Sequence, residues 1–114
     1  MGNYLQQLQN TASEFSHVLN GISEEIKIIE QSLRKMGLEK FTFDVDSETV
    51  LVWENRRLKC IDNESKVKKC PLIEKPASVR LKCYKFLQDF VFQAMEKAKN
   101  NLENTKVYGG VFDD

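Results

Sequence analysis

The sequence predicts an α+β fold of order α-β-β-β-α, in which two long helices cover a small antiparallel sheet. Three observations predict it. Apolar residues recur with a helical period over the first third, the period falls to two in the middle, and a helical period returns after Pro76. At 114 residues the chain fits a single domain. We place that domain at residues 1–105, with a helix at about 4–36, a sheet at about 40–72, a helix at about 76–104 and a flexible tail at 106–114.

The first helix carries the strongest signal. Leu5, Leu8, Ala12, Phe15, Leu19, Ile22, Ile26, Ile29, Leu33 and Met36 lie alternately three and four residues apart, the seam of a coiled coil. Gly37 supplies the stop, because glycine readily adopts the left-handed conformation that closes a helix, and Arg34 and Lys35 suit its negative end. The start is less well marked, because Thr11 with Glu14 forms a capping-box pattern inside the repeat, and the helix could divide at Asn20-Gly21, where glycine costs about 1 kcal/mol relative to alanine. Undivided, the helix is about 50 Å long. A compact domain of this length has a radius of gyration of about 13 Å. The helix is therefore expected to overhang its own sheet, with an antiparallel second helix covering only part of the seam.

Phe41, Phe43 and Val45 alternate with polar neighbours, Thr49 to Trp53 is rich in β-branched residues, and Arg57 to Ile61 completes a meander through turns at Asp46–Glu48 and Glu54–Arg56. Lys66 to Leu72 reads as a fourth, edge strand guarded by lysines. Pro76 suits the first turn of the second helix. Its core stripe is Cys83, Leu87, Phe90, Val91, Ala94 and Ala98, with Val79, Tyr84, Phe86 and Met95 at the margins, while Leu81 and Phe92 fall on a second apolar flank. Arg80 lies inside the stripe: in the helix's first turns it can snorkel to the edge, and if buried instead it calls for a carboxylate, with Asp44 and Glu74 as the candidates.

Composition narrows the function classes. The chain is 41% apolar and 30% charged, ordinary for a globular protein, and no apolar run approaches the roughly 20 residues of a membrane helix. A polar N-terminus and three cysteines without paired spacing point to a reducing, cytoplasmic setting. Net charge is zero but unevenly spread: five acids against Lys40 leave −4 over Glu39–Glu54, and ten bases against three acids leave +7 over Arg56–Lys85.

Catalysis is not expected. His17, the single histidine, lies off the seam of the first helix, Asp44 and Asp46 read as turn acids, and there is no phosphate loop or nucleophile elbow. Cys60, Cys70, Cys83 and His17 lack the local spacing of a zinc site, so no metal and no cofactor is expected. The preferred reading is a non-enzymatic protein-interaction module, a homodimer or the subunit of a complex, with Leu5, Leu8, Phe15, Leu19, Leu81 and Phe92 as partner-binding residues. The alternative is a nucleic-acid-binding module using the basic hairpin and loop, Arg56, Arg57, Lys59, Lys66, Lys68 and Lys69, with Phe41, Phe43 and Trp53 as stacking platforms.

The order Leu51-Val52-Trp53, Arg57-Leu58, Pro71-Leu72 and Ser78-Val79-Arg80-Leu81, behind an N-terminal helix rich in Glu and Ile, resembles a pattern in small proteins of phages and mobile elements. It spans about the middle half of the chain. The resemblance implies no active site; it implies a small binding protein of adaptor or inhibitor type that recruits or blocks a host protein.

Overall fold

The computed structural model describes residues 2–109, with side chains described through Asn104. Its elements are α1 (Asn3–Met36), β1 (Phe41–Asp44), β2 (Val50–Glu54), β3 (Arg57–Ile61), β4 (Lys69–Pro71), a 3₁₀ turn (Leu72–Glu74), α2 (Ala77–Tyr84) and α3 (Leu87–Gly109). The strands form one antiparallel sheet in the order β1-β2-β3-β4. The fold is α+β, as the change of period predicts.

α1 is one continuous helix of 34 residues that passes through Gly21 without a break. A glycine inside a helix costs only about 1 kcal/mol, which the packing of Ile22, Ile26 and Leu33 easily outweighs. Gly37 closes the helix at φ +61°, and its N–H donates to the Arg34 carbonyl at 3.2 Å. Between β2 and β3 the chain reverses through Asn55 and Arg56, both at positive φ (51° and 65°), the two-residue geometry that matches the twist of a hairpin.

Registers pair Phe41 with Trp53, Phe43 with Leu51, Leu51 with Cys60 and Trp53 with Leu58, which puts these side chains on one sheet face. That face packs on Ile22, Ile26 and Leu33 of α1 and on Val79, Cys83, Leu87, Phe90 and Ala94 of α2 and α3. Phe41 stacks on Phe90 with centroids 5.1 Å apart, and Phe43 meets the same ring edge-on at 6.1 Å.

Three expectations need correction. The second helix is not continuous: it tightens at Lys85–Phe86, where the Phe86 N–H donates to the Cys83 carbonyl at 2.9 Å. No glycine or proline marks this site; the tightened turn brings Phe86 against the core beside Leu87. The helices are not antiparallel, because Arg80 meets Ser23, Tyr84 meets Glu25, and Met95 and Ala98 share a groove with Met36, so contacts advance along both in the same sense. Finally, α3 runs through Gly109, past its expected end at about 104, and residues 110–114 of the expected tail lie outside the described residues.

The molecule measures 76 × 29 × 19 Å, with a radius of gyration of 18.5 Å. A compact chain of this length would have about 13 Å. The excess length lies in helix ends that leave the body.

Candidate interaction surface

The body begins at Ile22. From Asn3 to Asn20 no residue of α1 is buried, so 18 residues project, about 27 Å of helix. The heptad runs on through this projection, where none of its residues is buried. Tyr4, Leu5, Leu8, Phe15 and Val18 are 47–67% exposed, and Leu19 is half-buried where the projection meets the body. The same seam thus has two environments: Ile22, Ile26 and Leu33 are core residues, whereas Leu5, Leu8 and Phe15 face water.

The projection is also nearly uncharged. Glu14 is the one Asp, Glu, Lys or Arg between Asn3 and Asn20, and Tyr4, Gln9, Thr11, Ser16 and Val18 beside the seam carry no acid or base. At its root, Phe15 and Val18 line an apolar groove of about 310 Å³ with Leu81 and Glu14. Phe92, 53% exposed, belongs to a different groove, of about 490 Å³, with Ile29, Tyr84 and Val91. The turn at Lys85–Phe86 separates Leu81 from Phe92, so they do not form the single flank expected of one straight helix.

The orientation of α1 is fixed by a carboxylate that its periodicity does not reveal. Glu30, 4% exposed, accepts from the Leu58 N–H at 2.8 Å and from Arg57 Nε at 3.0 Å. One turn later Arg34 Nε donates to the Arg56 carbonyl at 2.8 Å. The last turns of α1 therefore grip the β2–β3 hairpin through both its backbone and a side chain.

Part of the basic segment is committed to internal pairs. Arg57 pairs with Glu30, Lys69 with Glu54, and Lys82 with Asp46 at 2.6 Å. Lys75 is fully buried: its Nζ reaches Asp62, Ser65 Oγ at 2.9 Å and the carbonyls of Val67 and Lys68 at 2.8 and 2.9 Å. Asp62 in turn accepts from the N–H groups of Glu64 and Ser65 at 3.0 and 3.1 Å. Burial opposes ionisation of Asp62, but the hydrogen bonds from Lys75, Ser65 and Glu64 outweigh it and hold the carboxyl below its ordinary range. This pair clamps the loop between β3 and β4. Arg56, Lys66 and Lys68 are exposed and Lys59 is half-buried, but the aromatic residues that would stack bases, Phe41, Phe43 and Trp53, belong to the core. Trp53 is 2% exposed and donates to the Leu38 carbonyl at 3.2 Å.

The remaining polar candidates are scattered. His17 is exposed on the projection, away from Cys60 and Cys83, whose sulfurs lie 3.8 Å apart in the core. Among the described residues no three His, Cys, Asp or Glu side chains are placed to hold a metal ion, and no helix is long and apolar enough to cross a membrane. Asp46 accepts from the Glu48 N–H at 2.8 Å, and this bond and, above all, the one from Lys82 lower its pKa to about 2. Arg80 meets Ser23 Oγ at 3.4 Å rather than Asp44 or Glu74. No family model, no curated protein and no solved structure matches this chain.

Of the residues that organise the surface, sequence reasoning missed Glu30, Asp62 and Lys75. Asp62 opens a turn-forming stretch, Asp62-Asn63-Glu64-Ser65, that marks a loop. Nothing local to Lys75 distinguishes it from the chain's solvated lysines.

Proposed function

We propose that the chain is a non-enzymatic protein-interaction module, of the adaptor or inhibitor type a phage or mobile element would carry, which offers the projecting half of α1 to a partner helix. One observation carries the reading: a heptad seam that is core in Ile22–Leu33 continues for 18 residues outside the body, with its apolar side chains exposed. Large apolar side chains aligned on one face of a helix are the usual donors of helix-helix association. Leu5, Leu8, Phe15 and Leu19 supply the contact, and Leu81 extends it onto the body. The partner-facing role of Phe92 belongs to the separate groove beside Ile29.

Site-specific photo-crosslinking in the native host tests this. A crosslinker at Leu8, on the seam, is expected to give discrete protein adducts, and one at Asn10, on the opposite face, is not. Equal labelling from the two positions, or none from Leu8, refutes the proposal.

A further inference from the structure

Resting on that reading, we infer that the occupant of the projecting seam is a second copy of this chain, paired antiparallel over Leu5 to Ile22. Direction follows from where the body sits. The body covers in Ile22–Leu33 the same helix face that Leu5–Leu19 leave open, so two copies aligned in parallel would bring both bodies into the same space between the helices. Antiparallel copies put the bodies at opposite ends.

The side chains fit that direction. In an antiparallel coiled coil the two kinds of seam position alternate across the interface. The register that gives every seam residue of the projection a partner sets Ala12 against the partner's Phe15 and Leu8 against the partner's Leu19, twice each by symmetry. The smallest residue of the seam thus receives the largest. The partner's Leu5 arrives at the level of Ile22, beside the groove that Phe15, Val18 and Leu81 form. Flanking positions pair Gln9 with Ser16 and Thr11 with Val18, and none carries charge to oppose self-association.

The area is sufficient. With roughly 200 Å² for a large apolar side chain, the exposures of Tyr4, Leu5, Leu8, Phe15 and Val18 leave about 550 Å² per chain. Two copies bury about 1,100 Å², above the roughly 1,000 Å² expected of a specific interface.

Sedimentation equilibrium of the purified full chain, from low to high micromolar, is expected to show a shift from 13.2 kDa toward about twice that mass. A Leu8→Glu/Phe15→Glu variant is expected to weaken dimerisation at least a hundredfold or so, with circular dichroism and Trp53 fluorescence reporting an intact body; Leu8→Ala/Phe15→Ala is the milder companion should the charged pair unwind the projection. A spin label at Gln6→Cys, in a Cys70→Ser background, is expected to give a distance of about 25 Å between copies, from 15 residues of axial offset and the separation of two packed helices. A monomer at every concentration, a dimer that survives both variant pairs, or a distance of about 10–15 Å, as in-register parallel helices would give, overturns the inference. A monomer that still crosslinks through Leu8 to a different protein overturns this inference while leaving the interaction module standing; loss of the Leu8 crosslink as well removes both.

Discussion

Lys75→Met is the most demanding test of the interior. The substitution keeps most of the aliphatic stem and removes an ammonium whose side chain has no solvent exposure, leaving Asp62, itself 1% exposed, without its counter-charge. Breaking a buried pair by removing one member costs about 3–5 kcal/mol. Two features place this case near the lower figure: Asp62 keeps its bonds from Ser65 and the Glu64 N–H, and Val67 and Lys68, whose carbonyls lose a donor, are exposed and can turn to water. We expect a loss of about 3 kcal/mol, a large share of the 5–15 kcal/mol that holds a domain together. Urea unfolding followed by Trp53 fluorescence, at one protein concentration, measures it. Asp62→Asn is expected to cost a similar amount by stranding the ammonium, and the double variant less than the two losses combined, by at least about 1.5 kcal/mol. A Lys75→Met cost under about 1 kcal/mol, or strict additivity, would refute the claim that the pair clamps the loop.

Three further outcomes are expected. Glu30→Ala leaves the Leu58 N–H unpaired and should cost about 2–3 kcal/mol in the same urea assay, while Glu30→Gln, which can still accept that bond, should cost about 1 kcal/mol. Gly21→Ala meets nothing within 4 Å and should slow amide exchange in the projecting half of α1 about four- to fivefold, by the roughly 0.8–1 kcal/mol difference in helix propensity. Asp62 and Asp46 both ionise more readily in the folded chain than in the unfolded one, so their contribution is complete above the unfolded pKa of about 4 and is lost as pH falls below it; for Asp46 the loss runs down to about 2. Urea midpoints should drop over that range, and less steeply in Asp62→Asn.

The elements that local pattern alone defines were legible. The seam of α1, its Gly37 stop, the three hairpin strands and the core positions Cys83, Leu87, Phe90 and Ala94 follow from period and turn chemistry, and they stand in the structure where those signals put them. What local pattern could not carry was decided at a distance. The turn at Lys85–Phe86 contains no breaker and exists because Phe86 packs on the core. The direction of α2 and α3 relative to α1 depends on the path through the whole sheet. Lys75 and Asp62 find each other across 13 residues, and Glu30 meets its hairpin across 28, separations at which a charged residue bound for the interior looks like one bound for solvent. The overhang was legible for a simpler reason: its length follows from a residue count and its exposure from the size of the body.

Glu30 has a bearing on the outer end of α1 as well. A helix is stiff about its long axis, and each residue turns it by about 100°. A small rotation at the root would therefore carry Leu5, 25 residues away, around by the same angle. By taking the Leu58 N–H and Arg57 into one carboxylate, Glu30 sets the azimuth of the whole rod. The hairpin, itself part of the body, thereby aims the apolar stripe, as a keyway fixes the angle of a shaft.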